Sequence, residues 1–334
     1  CVHALSEAVA LREAGIDAPI YLVGPVALDN LEQVGALDLR MVVYNTETVQ
    51  RLVSLGTPAR LHIKIETGNH RQGIEIPEAI ALAEAIRNAP HLELEGICSH
   101  FANIEDTTDH GYARQQLSVF GDAVTALRSR GHAVPIRHLS NSAASILWPE
   151  QDFDMVRVGI GAYGLWPSKE TRVAAALVHR GDLTLRPALT WKTRIAQVKT
   201  VPEGALVGYG CTWEATRPSR LAILPVGYFD GYDRRLSNLA HTLCHGRRAP
   251  VRGRICMNIT MIDVTDIPDA ALEDEVVLMG GQGSAVITAE MFADWAGTIN
   301  YEVLARLGVH VPRLIEPGSS HGGHTSRSYR PPKS

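Results

Sequence analysis

Over roughly the first 160 residues, short apolar runs alternate with amphipathic stretches, and this alternation limits the possible folds more than any other feature. Strand-like runs lie near residues 19–24, 41–44, 60–65, 92–99, 134–139 and 155–160. Helical stretches separate them. One carries Leu5, Ala8, Val9 and Arg12 and closes at Gly15; a second lies around Leu31; a third starts near Thr46 with Glu47 in its first turn; a fourth covers about residues 77–87. Leu117, Phe120, Val124 and Leu127 are spaced three, four and three, which places them on one helix face. A short helix is expected near Ala143. Six strands, near Ile20, Val42, Ile63, Leu94, Ile136 and Val158, imply an α/β fold with a parallel sheet and right-handed crossovers. Two architectures fit: a TIM-type (β/α)8 barrel lacking its first strand and most of its second, and an open doubly wound sheet. Periodicity does not choose between them. The chain opens at Cys1 as if at the end of a strand running into a helix.

After about residue 178 the pattern changes. Residues 189–200, 221–226, 253–264 and 275–279 read as strands between Gly, Pro and Asp turns, followed by helices near 289–295 and 301–307. The expected organisation is thus a partial barrel over residues 1–178 and a mostly β domain over 179–316. Residues 317–334, rich in Gly, Ser, His, Arg and Pro, read as a disordered tail.

Composition narrows the function classes. A net charge of −4 argues against nucleic-acid binding, which needs a basic surface. No apolar run approaches the roughly 18 residues of a membrane span, and the opening segment lacks the form of a signal peptide. The cysteines, Cys1, Cys98, Cys211, Cys244 and Cys256, form no CxxC pair; reduced thiols in a cytoplasmic protein without a metal site are expected, with disulfides as the lesser alternative. There is no HExxH, GxSxG or P-loop.

Barrel enzymes place their chemistry at the C-terminal ends of the strands. Those ends carry Lys64 and Arg71, His100, Ser142, and Arg157. Any one of them alone reads as an ordinary polar residue at a strand end. Together they form a cationic rim with hydroxyls and Gly-rich turns, suited to a phosphorylated ligand. Gly159-Ile160-Gly161-Ala162-Tyr163-Gly164 matches GxGxxG, but it follows the last strand of its domain, and Asp182, about 20 residues on, reads as an interdomain turn. A phosphate cradle fits this position better than a dinucleotide fingerprint.

In this order, several motifs resemble those of alanine racemases: His62-Ile63-Lys64-Ile65-Glu66-Thr67-Gly68 with Arg71, Ser99-His100-Phe101-Ala102, Asn141-Ser142-Ala143-Ala144, Arg157-Val158-Gly159-Ile160, Tyr163-Gly164, Gly208-Tyr209-Gly210, Gly227-Tyr228-Phe229-Asp230-Gly231-Tyr232, Gly253-Arg254-Ile255-Cys256-Met257 and Thr298-Ile299-Asn300-Tyr301-Glu302. The resemblance runs to about residue 316. It implies a barrel that binds pyridoxal 5'-phosphate (PLP), a C-terminal β domain, and a homodimer with active sites shared between subunits. It implies that Arg157 faces the pyridine nitrogen, that His100 supports it, and that Ser142, Gly159, Ile160 and Tyr301 contact the phosphate. Arg71 would lie near the ring phenol oxygen, and Lys64 matches a lysine that is often carbamylated and then holds that arginine. An arginine does not readily give up a proton. The ring nitrogen would therefore stay unprotonated, favouring proton exchange over transamination. Arg71, Met257 and Tyr209 would contact substrate, and Tyr209 would be the base contributed by the partner subunit. A phenol has an ordinary pKa of about 10, so it needs cationic neighbours to serve as that base; the His100–Arg157 pair is the candidate neighbour.

The resemblance also implies a second base, a lysine at the end of the first strand, four residues before a tyrosine. None of Lys64, Lys169, Lys192, Lys199 and Lys333 matches it. The expectation is a truncated enzyme, inactive as given, whose intact parent interconverts L- and D-alanine for peptidoglycan. Departures from the family pattern are Glu66, Asn69-His70 and Asn258, the last beside the expected substrate-carboxylate contacts. A broader amino-acid racemase and a non-catalytic PLP-binding protein stay open as alternatives.

Overall fold

A computed structural model describes residues 1–178 and 183–316. Asp182 and residues 317–334, expected as a turn and a tail, lie outside the described residues. The chain divides into two units, Cys1–Arg186 and Pro187–Ser334.

In the first unit the strands are β1 (Ile20–Leu22), β2 (Leu39–Val43), β3 (Ala59–Lys64), β4 (Leu92–Cys98) and β5 (Ile136–His138). They form one parallel sheet whose spatial order is the chain order. This order decides the architecture. A doubly wound sheet reverses direction at a switch point, whereas a barrel segment adds each strand beside the last. Repeated right-handed crossovers then put every helix on one face. These are α1 (Leu5–Glu13), α2 (Glu32–Ala36), α3 (Thr46–Leu55), α4 (Ile76–Arg87), α5 (Gly111–Ser129), α6 (Ser142–Leu147) and α7 (Lys169–Leu177). Leu22, Met41, Leu61, Ile63 and Ile97 pack with Leu52, Leu82, Phe120 and Leu127 into one core. The other sheet face holds a small cluster of Tyr21, Val42 and Cys98, and it also carries titratable groups.

Local signals explain the helix ends. The Asn45 side chain accepts from the Thr48 N–H at 2.8 Å to start α3, and Gly56, at φ 64°, stops it. The face of α5 read from the sequence is the buried one at Phe120, Val124 and Leu127.

The expected sixth strand at 155–160 does not form. Two backbone bonds, Asp154 N–H to Arg137 O and Arg157 N–H to Ser140 O, tie this segment beside β5 without a ladder, and Val156 and Val158 are exposed. The alternation of Val and Ile there satisfies a turn into the 160–163 helical turn, not a strand. Near the start of the chain, Val2 bridges Leu22 in parallel fashion.

The second unit contains β6 (Trp191–Arg194), β7 (Gln197–Val201), β8 (Leu206–Val207), β9 (Trp213–Glu214), β10 (Ser219–Leu224), β11 (His241–Cys244), β12 (Arg247–Pro250), β13 (Thr260–Asp263), β14 (Glu275–Gln282) and β15 (Ala285–Ile287), then α8 (Ala289–Ala296) and α9 (Asn300–Ala305). The run at 189–200 is two strands, because Ile195 and Ala196 hand the chain from one sheet to another: β6 pairs β14, and β7 pairs β10. Of the run at 253–264 only β13 is a strand; residues 253–259 form a loop. No helix among the described residues is long and apolar enough to cross a membrane. All five cysteines are free thiols.

Candidate active site

At the C-terminal ends of β1 to β5 lies a cavity of about 870 Å³, lined by Tyr21, Lys64, Arg71, Gln72, Cys98, Ser99, His100, Arg157 and Gly159 among others. Three of its lining side chains are cations and none is a carboxylate. Such a wall selects an anionic ligand.

Arg157 forms the floor. Its Nη2 donates to Ser99 O (2.6 Å), Leu139 O (3.2 Å) and His100 Nδ1 (3.4 Å), while Nη1 donates to His138 O (3.2 Å) and to His138 Nδ1. Both imidazoles therefore act as acceptors and are neutral. Burial lowers the His100 pKa to about 3, with the charges of Arg157, Arg71 and Lys64 adding to the effect. Burial and Arg157 similarly push His138 down to about 2.

A buried glutamine on α5 sets the His100 loop. Gln116 Oε1 accepts from Ala102 N–H (2.8 Å), and its Nε2 donates to His100 O and Thr67 Oγ1, both at 3.2 Å. Thr67 in turn meets Ser99 Oγ at 2.8 Å, which donates to Ile65 O.

Lys64 donates to Gln72 Oε1 at 3.2 Å, and Gln72 Nε2 donates to Tyr44 Oη at 3.1 Å. Burial lowers the Lys64 pKa, assisted by Arg71 and Arg157. Behind Gly159, the Ser142 Oγ accepts from the N–H groups of Gly159 (3.0 Å) and Gly161 (3.2 Å), and Ile160 is buried between them. The structure thus gathers Lys64, Arg71, His100, Arg157 and Gly159 around one cavity, with Ser142 anchoring the Gly159 turn.

Tyr209, Met257 and Tyr301 belong to the second unit. Tyr209 sits between two glycines of positive φ, Gly208 (75°) and Gly210 (71°), and is 72 % exposed. A Cβ on Gly208 would lie 2.8 Å from Met261 Cε, and one on Gly253 would lie 2.6 Å from Val207 O. Glycine at both positions lets the Tyr209 turn and the 253–257 loop press together. Met257 is also exposed, its carbonyl held by Phe229 N–H at 2.9 Å. Tyr301 lies on α9.

Comparison with known proteins decides the family. The family model "Alanine racemase, N-terminal domain" matches residues 1–167, and "Alanine racemase, C-terminal domain" matches residues 188–315. The chain belongs to the alanine racemase family. Alanine racemase of Halothermothrix orenii is 42 % identical over 311 residues, which cover 92 % of this chain and 80 % of that one. Alanine racemase of Methanococcus maripaludis is 40 % identical, covering 92 % and 82 %. The crystal structure of the Bacillus anthracis alanine racemase with bound L-Ala-P superposes with a TM-score of 0.87 at 33 % identity, covering 95 % of this chain and 81 % of that one. The protein is thus an isomerase-family enzyme with the alanine racemase fold, a barrel domain followed by a β domain.

Sequence reasoning missed two polar groups on the sheet's inner face, His62 and Glu95, and the supports Gln116 and His138. His62 and His138 sit inside recognised motifs, but nothing in the spacing said that they touch.

Proposed function

We propose that this protein interconverts L- and D-alanine with PLP, as a cytoplasmic homodimer that supplies D-alanine for peptidoglycan. The observation that carries the cofactor reading is the cavity wall of three cations without a carboxylate, floored by an arginine whose neighbours are all acceptors.

The residues present fit PLP. The Ser142 hydroxyl, whose oxygen already holds the Gly159 turn, and the N–H of Ile160 would suit a phosphate beside Gly159, and the family resemblance adds Tyr301. Arg157 would donate to the ring nitrogen, and Arg71 would hold the phenol-oxygen side. When bound, PLP supplies an electron sink that loosens the Cα proton of an amino acid joined to it. Arg157 cannot take the role of an acid, because a guanidinium does not release its proton. His100 stays neutral and fixes the guanidinium plane. The Lys64 amine, weakened as a base by burial, is a candidate for carbamylation, which would turn it into an anion facing Arg71. Tyr209 Oη holds or takes the Cα proton on one face of the substrate, contributed by a second copy of the chain. Met257 and Arg71 orient the substrate carboxylate.

Inversion needs a base on each face. No lysine of these 334 residues matches the family's second base, so they are proposed to be inactive by themselves. Incubation with PLP and L-alanine should yield no D-alanine; robust turnover would contradict this account of the lysine. Reading the coding sequence upstream of Cys1 tests the enzyme reading itself. A Lys-x-x-x-Tyr after an apolar strand supports it, and an initiation codon at that point favours a non-catalytic PLP-binding protein.

A further inference from the structure

On the inner face of the parallel sheet, a row of polar side chains runs on from His138, the Arg157 acceptor, and joins end to end. His138 Nε2 meets His62 Nδ1 at 2.8 Å, His62 Nε2 meets Glu95 Oε2 at 2.9 Å, and Glu95 Oε1 meets Arg40 Nε at 3.3 Å. At the other end His138 Nδ1 faces Arg157 Nη1. Both imidazoles are buried, at 0 % and 1 % exposure, and Glu95 is buried too.

The two ends fix the direction of every bond between them. A guanidinium only donates, so His138 Nδ1 carries no proton. Neutral His138 then holds its proton on Nε2 and donates it to His62 Nδ1. His62 in turn keeps its proton on Nε2 and donates to the Glu95 carboxylate, which only accepts. Any other assignment requires an imidazolate or a protonated carboxyl. Burial lowers the pKa of His62 against the pull of Glu95, in keeping with a neutral ring.

The backbone departs from regularity in the same place. The β3–β4 ladder pairs Leu61 with Leu94 but His62 with Gly96, so Glu95 is the extra residue of a bulge. Bulges re-aim side chains, and this one turns Glu95 to His62. The next residue, Gly96, has no room for a side chain: a Cβ there would lie 2.5 Å from His62 Nδ1 and 2.5 Å from Ile136 O.

We propose that His138, His62 and Glu95 are positioning residues for Arg157, a one-way hydrogen-bond relay that locks the guanidinium plane and keeps it a donor to the ring held in the cavity. The identity of that ring rests on the PLP reading above; the polarity of the relay does not.

The first test uses cofactor-free protein labelled with 15N at histidine. Long-range proton–nitrogen spectra should show His62 and His138 as Nε2–H tautomers, unchanged between about pH 5.5 and 8.5. This should hold although Tyr21, Cys98, Lys64, Arg40, Arg157 and His100 all lie around them. An Nδ1–H tautomer at either histidine, or titration in that range, would overturn the proposal. The second test measures PLP affinity by absorbance. Glu95→Met and His62→Phe should weaken it about fivefold or more and shift the cofactor's absorption, while Glu95→Gln, which keeps an acceptor for His62, should stay within about twofold of the parent. Parent-like affinity and spectrum in Glu95→Met and His62→Phe would refute the positioning role. If the parent takes up no PLP, the cofactor reading falls, and the tautomers alone support or refute the relay. Should His62→Phe not fold, the Glu95 pair still decides.

Discussion

At the scale of single residues, the neutral histidines around Arg157 make stability depend on pH in a definite direction. Burial holds His100 near 3 and His138 near 2 in the folded protein, whereas an unfolded histidine titrates at about 6.5. Below that value the unfolded chain binds more protons than the folded one. Stability is therefore full above about pH 6.5 and falls as pH drops toward the folded values, by about 1.4 kcal/mol per pH unit for each histidine. Urea midpoints at pH 7.5, 6 and 5 should show this fall, and His138→Gln should show a shallower one; equal slopes would contradict the assignment. Removing a cation from beside an imidazole raises its pKa. Arg157→Ala should thus move the His100 titration upward, though burial keeps it below the ordinary value, and NMR titration reads this directly.

At the scale of elements, the sharpest prediction concerns the bulge. Gly96→Ala puts a methyl group against a backbone carbonyl that cannot swing away. Overpacking of this kind costs about 1–3 kcal/mol. A lowered urea midpoint is expected, with an unchanged one as the contrary result. Most elements of the first unit were legible in the sequence, because buried parallel strands and one-faced helices leave opposite periodicities, as at residues 60–65 and along α5. The failures have physical causes. Residues 155–160 alternate like a strand, yet their one backbone bond here, Arg157 N–H to Ser140 O, falls beyond the end of β5. Residues 189–200 form one apolar run but serve two sheets. Strands β11 and β12 escaped notice because His241 and Thr242 in the first, and Arg247 and Arg248 in the second, interrupt the apolar pattern. Arg157, His100 and Lys64 could be named from motif order, since each ends a strand or its following loop. The relay through His62 and Glu95 could not, because a one-residue slip between neighbouring strands leaves no periodic trace.

At the scale of the whole molecule, Tyr209 and Met257 are 72 % and 53 % exposed in a single chain. The proton role proposed for Tyr209 needs another surface to complete a site around so open a side chain. Sedimentation should therefore show a dimer, and Tyr209→Ala should leave PLP uptake intact because the cavity cations lie in the first unit. The account depends above all on that cavity holding PLP, and a direct titration of the 334-residue chain with PLP, followed by absorbance and by the phosphorus resonance, tests it best. Saturable binding of one PLP per chain is predicted, weakened about tenfold in Ser142→Ala, as expected for losing one hydrogen bond to a charged group. Absence of saturable binding, or an unchanged affinity in Ser142→Ala, would contradict it.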